Sequence, residues 1–366
     1  MKKTLLLVLF YPCFVFSQNN NANWFFGDSV MLNFNDGVIT TMQVPGLADE
    51  TSISYSDDEG NLLFYSDGSI IWNKDLEEMN NSPIEQRGYN EGSGSSMCQG
   101  SSVIPDPGNS SKYYIINQVE EGLKYSVIDM TLDEGLGDVQ EELKDIWIIE
   151  EYITEKLQAV KHANGRDWWV LFHKRVPSFD DDSTNTFYKL LITPEGILGP
   201  YEQNVGIKSK GTIAQMVFSK NGDLLAYPET NNLEIFNFNR CTGELSEYKN
   251  VLSLGNYPYG CAFSGDGTKV YTSSVQEDGD KVFQYCVNCE ETLEETKTLI
   301  FKETFEDYAI GQMLLGPDDK IYIVTFYYTW YNSYFTDINM NLSDTENYSA
   351  AGTTGSVGGL SLARNG

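Results

Sequence analysis

The sequence predicts an all-β fold assembled from repeats, and three observations carry that prediction. Helical periodicity is almost absent; short runs rich in Val, Ile, Tyr, Phe and Trp alternate with Gly, Asn and Asp clusters, the signature of strands and turns. One turn grammar recurs, in which a short apolar strand enters a polar turn and an aromatic, branched strand leaves it. The recurrences also keep register. Gln158, Gln215 and Gln312 each stand seven residues ahead of a turn position, and "QMVFSKNG" (215–222) nearly repeats as "QMLLGPDD" (312–319).

In chain order the turns fall at Gly60 ("YSDDEGNLLFYSDG"), Gly108 ("IPDPGNSSKYYIIN"), Gly165 ("KHANGRDWWVLFH"), Gly222 ("FSKNGDLLAYPE"), Gly267 ("FSGDGTKVYTSS") and Asp319 ("LGPDDKIYIVTF"). The intervals of 48, 57, 57, 45 and 52 residues each hold four strands with their turns. A period near 50 with four strands per unit marks a β-propeller. The two ends carry complementary half-repeats. "GGLSLARNG" (358–366) aligns with "AQMVFSKNG" as a first strand alone, and "NWFFGDSVMLNFNDG" (23–37) aligns with "LLFYSDGSIIWNKDL" as second and third strands. Residues 358–364 are therefore expected to be the innermost strand of a blade completed by residues 23–48. The expectation is a seven-bladed, WD40/YVTN-like β-propeller of four-stranded blades over residues 18–366, with its sheet edges closed.

Residues 1–17 read as a cleaved signal peptide. Lys2 and Lys3 precede a short apolar run, and Ser17 stands before Gln18 with Val15 two residues back. The run is shorter than the roughly 20 residues a membrane span needs. Tyr11-Pro12 before Cys13 does not fit a lipoprotein box. Removing Lys2 and Lys3 from the 24 basic residues leaves 22 against 53 acidic ones, a formal charge of −31. Such a chain repels nucleic acid and anionic headgroups. It is expected to bind no nucleic acid, to insert in no membrane and to be monomeric. No cofactor is indicated. A divalent cation such as calcium stays open, although "DDEGN" (57–61) and "FDDDSTN" (179–185) lack the alternating ligands of a calcium loop.

Catalytic motifs are sparse. No GxSxG, HExxH or Walker pattern occurs, and "EGLGDV" lacks the third glycine of a dinucleotide loop. His162 ends an innermost strand, where it is placed either as a general base at the channel mouth or as a ligand of a neighbouring blade's backbone. Gln158, Gln215 and Gln312 belong near the channel, as a polar ring for a small ligand or as ties between blades. Trp168 and Trp169 alternate on one strand, so each fills a different inter-blade space, and Trp72 has a packing role too. The cluster "TFYYTWYNSYF" (325–335) carries Tyr327, Tyr328, Trp330, Tyr331 and Tyr334, which suit either sugar stacking or packing. After cleavage five cysteines remain, an odd number in an oxidising compartment. "CVNC" (286–289) has no second pair or nearby His to make a zinc site.

The strings "NWFFG", "NLLFYSDGSIIWNKD", "QGSSVIPDPGNSSKYYI", "AVKHANGRDWWVL", "FNRCTGELS", "YGCAFSGDGTKVY" and "GQMLLGPDDKIYI" resemble the N-terminal propeller of secreted Bacteroidetes surface proteins. In that family the propeller often precedes immunoglobulin-like modules and a type IX secretion or gliding-motility-associated C-terminal domain. The resemblance spans residues 23–362, and the sorting domain has no counterpart in residues 1–366. It implies a propeller placed outside the cell or in the periplasm, and it brings no reaction with it. It also implies a Cys241–Cys261 disulfide, the alternative being two separate buried thiols. Of the cysteines that remain, Cys286 and Cys289 are then placed to form a second small ring, with Cys98 left free. The function expected is a non-catalytic binding module for protein or glycan at the cell surface. The alternative is a lactonase-like hydrolase at the channel mouth.

Overall fold

A computed structural model of the chain describes residues 20–90, 94–178, 182–211, 213–252, 257–275, 279–302, 308–327, 339–342, 347–349 and 359–360. The described residues contain strands, turns and short 3-10 segments but no α-helix. None of their helices is long and apolar enough to cross a membrane.

The strands pair in successive antiparallel meanders. Sheet one holds Asn23–Asn33 and Thr40–Ala48. Sheet two holds Thr51–Ser56, Leu62–Ser66 and Ile71–Asn73. Sheet three holds Ser101–Pro105, Lys112–Val119 and Gly122–Asp129; its outer edge is split, because Asp138–Val139 and Ile146–Ile149 pair with different ends of Gly122–Asp129. Sheet four is Ile153–Lys161, Trp168–Lys174, Thr184–Thr193 and Gly196–Ser209. Sheet five is Val217–Phe218, Leu224–Glu229, Asn232–Asn239 and Glu244–Val251. Sheet six is Tyr257–Phe263, Lys269–Val275, Lys281–Cys286 and Thr298–Lys302. Sheet seven is Tyr308–Leu315, Ile321–Tyr327, Asn339–Leu342 and Asn347–Ser349. First strands touch one another in succession from Thr51–Ser56 to Tyr308–Leu315. Sequential meanders with their first strands gathered about one axis make a β-propeller.

Strand alternation explains how the sheets stack, since successive side chains leave opposite faces and each face meets a different neighbour. Trp168 packs with Ile104 and Ile116 of sheet three, whereas Trp169 packs with Phe218 and Leu225 of sheet five. Val217 and Ile235 meet Cys261 and Val270 between sheets five and six. Ala262 and Val282 meet Ile310 and Met313 between six and seven. Trp24 and Phe26 of sheet one pack on Tyr322 of sheet seven, while Phe25 and Met31 face Tyr65 and Trp72 of sheet two. Sheet one thus stands between sheets seven and two.

The C-terminal strand differs from its expected pairing. Gly359–Leu360 runs parallel to Thr51–Ser56, with Gly359 opposite Thr51 and Leu360 opposite Ser52, and also lies against Asn23–Asn33. First strands around an axis all run the same way, so a strand at the axis meets the next sheet's first strand in parallel. Neither of its two described residues forms the ladder expected with residues 23–48.

Candidate functional site

The segment Met97–Gly100, just ahead of the first strand of sheet three, occupies the axis. Gln99 exchanges two bonds with the Met216 backbone of sheet five, accepting its N–H at 2.8 Å and donating Nε2 to its carbonyl at 3.0 Å. The Gln99 N–H donates to the Glu155 carbonyl of sheet four at 3.1 Å. Gln312 of sheet seven donates Nε2 to the Cys98 carbonyl at 2.8 Å, and Thr51 of sheet two donates Oγ1 to the Met97 carbonyl at 2.7 Å. Gly100 permits this crowding, because a Cβ there would sit 2.4 Å from Thr51 Oγ1 and 2.6 Å from Gln86 Nε2. Four sheets are therefore tied through one plug.

Two of the three registered glutamines come together here. Gln215 Oε1 accepts the N–H groups of Cys261 and Met313, at 3.0 and 2.8 Å, and its Nε2 donates to Gln312 Oε1 at 3.2 Å. Gln158 is buried elsewhere in sheet four, and its Oε1 makes no hydrogen bond.

On the side where first strands begin, a charged cluster surrounds the plug. Glu155 Oε2 accepts the Cys98 N–H at 3.2 Å, and the guanidinium groups of Arg87 and Arg175 act on the same carboxylate. Burial nevertheless raises its pKa. Glu50 lies near Glu155 and hydrogen-bonds the Tyr259 hydroxyl; burial first, then the Glu155 charge, pushes it up to about 8. Cys98 is fully buried among these carboxylates, and burial drives its pKa well above the ordinary thiol value. The Arg175 Nε is buried without a hydrogen-bond partner.

Lys156, one residue after Glu155, points to the opposite face of the strand. Its Nζ is 2.7 Å from Glu229 Oε1 of sheet five and 4.5 Å from the Tyr227 ring centre. The two charged side chains are 0% and 2% exposed. Burial alone would raise the Glu229 pKa, but Lys156 outweighs it and holds the carboxylate ionised. His173 packs against Phe187 and Tyr227, and burial lowers its pKa to about 4.

His162 stands at the other end of the same first strand, about 23 Å from Glu155 at roughly 3.3 Å per residue. Its Nδ1 accepts the Asn164 N–H and its Nε2 lies 3.0 Å from the Cys241 carbonyl, so the ring ties its own turn to sheet five. Tyr327 ends a strand of sheet seven; Tyr328, Trp330 and Tyr331 lie outside the described residues, as do residues 179–181 of the 179–185 loop. In the 57–61 loop, Asp57 instead accepts the backbone N–H groups of Glu59 and Asn61. No group of three or more His, Cys, Asp or Glu among the described residues is arranged to hold a metal ion.

The Cys241–Cys261 pairing is not formed. Cys241 is exposed in the turn after the third strand of sheet five, whereas Cys261 is enclosed between sheets five and six with Val270 and Tyr285. The disulfide present is Cys286–Cys289. Peptide mapping of the unreduced protein is expected to recover that pair linked, Cys241 alkylated in the native state, and Cys98 and Cys261 alkylated only after unfolding. A Cys241–Cys261 peptide would contradict this arrangement.

Sequence reasoning missed Glu50, Arg87, Glu155, Arg175 and Tyr259, and it placed Cys98 only as a free thiol, which it is. The available signal was "TEKL" (154–157), a Glu-Lys pair inside a strand otherwise destined for burial on both faces.

No family model matches the chain, and no curated protein is detectably similar to it. Among solved structures, the Myceliophteria thermophila Cps50 (Swd1) β-propeller domain is 11% identical, with 84% of this chain and 93% of that one covered at a TM-score of 0.48. A quinonprotein alcohol dehydrogenase-like protein from Bacteroides thetaiotaomicron is 14% identical, with 93% and 77% covered and a TM-score of 0.47. The periplasmic gluconolactonase PpgL of Pseudomonas aeruginosa is 15% identical, with 75% and 80% covered and a TM-score of 0.45.

Proposed function

We propose that the chain is an exported, seven-bladed propeller that works as a binding module for a protein or glycan, at the cell surface or in the periplasm. The place of sheet one between sheets seven and two supports the blade count in this reading. The Bacteroidetes resemblance supports the exported placement. The observation that carries the binding role is the plugged axis. With Met97–Gly100 tied to four sheets, Glu50, Glu155, Arg87, Arg175 and Tyr259 are held in fixed places around it, and that preorganisation supports a polar ligand site at this end of the axis.

One observation favours the hydrolase alternative. Glu50, pushed up to about 8, holds a proton beside Glu155, and a protonated acid next to a second carboxyl suits acid–base chemistry. A glycan array and a whole-cell pull-down with the secreted chain separate the two readings. Binding that falls about tenfold in Arg175→Ala, with no turnover of lactones, supports the module. Lactone turnover abolished by Glu50→Gln overturns it in favour of the enzyme.

A further inference from the structure

A second candidate site lies on the opposite face, where the first strands end. A cleft of about 320 Å³ opens between sheets five and six, lined by Asn221, Asp223, Asn237, Tyr248, Asp266 and Asn288. We propose that this cleft binds one neutral pyranose unit of a glycan.

The chemistry of the lining selects the class. A sugar presents hydroxyls that both donate and accept, together with a patch of C–H groups on one ring face. Three carboxamides supply both donors and acceptors, and two carboxylates supply acceptors. Tyr248 is 41% exposed and offers an aromatic face for the C–H patch. The volume sits at the small end of ligand sites, enough for one ring with the rest of a glycan outside. Charge narrows the class further. Lys220, the cation at the rim, is paired with Asp319. Asp223 and Asp266 therefore leave the cleft acidic, and the chain as a whole carries a formal −29. Uronate and sulfated sugars are disfavoured, and neutral ones are accepted.

The "CVNC" ring has a place in this site. Asn288 lies inside the Cys286–Cys289 disulfide loop, so the bridge restricts the backbone that carries its amide. Sheet five holds the same loop from the other side. Lys249 Nζ donates to the Cys289 carbonyl at 2.6 Å, and Tyr248 Oη lies 3.5 Å from the Val287 carbonyl. The aromatic platform and the amide facing it are thus fixed relative to each other, the preorganisation that a weakly hydrophobic ligand requires.

This site is separate from the axial mouth and stands or falls independently of it. The test is a glycan array with neutral, uronate and sulfated arms, followed by calorimetric titration of the methyl glycoside of the best neutral hit. Neutral glycans are expected to bind, and Tyr248→Ala and Asn237→Ala are each expected to weaken the methyl glycoside about tenfold. Both residues are exposed, so circular dichroism should show unchanged folding. Failure to bind any neutral glycan, preference for the acidic arms, or full affinity in both variants overturns the assignment. A sugar lost on Glu50→Gln but retained by both cleft variants sits at the axis and overturns it as well.

Discussion

Replacing Lys156 with Met is expected to cost about 3–5 kcal/mol, the usual penalty for removing one partner of a buried ion pair. For a chain of this size that lowers the melting temperature by roughly 5 °C. The effect is large because of what remains. Glu229 is 2% exposed and is held ionised by Lys156. Without the ammonium it must keep an unpaired charge beside Tyr227 and His173, take up a proton, or open the interface to water. Its Oε2 packs on Gly211, where an added Cβ would sit 1.8 Å away. The double variant Lys156→Met/Glu229→Leu removes both charges and should recover most of the loss, because the pair's attraction only offsets its own desolvation. Thermal melts of the three proteins at neutral pH measure both effects. A Lys156→Met chain that melts like the parent would mean that the pair is solvated.

The contrast with the sequence reading follows from where information is local. Strand and turn chemistry is local, so the meanders were legible from "NG" and "DG" turns and branched strands. Alternation along one strand is also local, and it placed Trp168 and Trp169 in different inter-sheet spaces. The register of Gln215 and Gln312 was legible as well, though not which of several roles they take. The axial cluster is not local. It depends on how Met97–Gly100, outside the repeat grammar, crosses the axis to meet Glu155 and Met216, a pairing across 117 residues. Adjacent Glu155 and Lys156 look like one charged dipeptide in sequence, yet alternation sends them to different sheets and different partners. The cysteines teach a similar lesson: a turn on one sheet and a buried strand on the next are neighbours in sequence but not in contact.

The stability of the chain is expected to peak in acid, near about pH 5, and to fall through neutrality. Burial pushes Glu50 up to about 8, Glu234 up to about 7, and Asp49 and Asp67 up to about 6. Each of these folded pKa values lies above its unfolded value near 4. Their contribution is fully present below pH 4 and is lost as pH rises through each folded value, because the unfolded chain releases protons that the folded one must hold. His173 works the other way: its folded pKa of about 4 lies below the unfolded 6.5, so it destabilises the fold as pH falls from 6.5 toward 4. The carboxylates held low, Glu229, Asp129, Asp167 and Asp266, also lose stability in acid and act alongside His173, which sets the optimum in weak acid rather than at pH 4. Glu50 has the widest window, from about 4.5 to 8, and the loss over it reaches about 4 kcal/mol at pH 8. Glu50→Gln keeps the size of the side chain and removes the proton linkage. It should melt with the parent at pH 4 and roughly 5 °C above it at pH 8. Melting curves of both proteins between pH 4 and 9 decide the matter, and coincident curves at pH 8 would show that Glu50 ionises in the folded mouth at no cost.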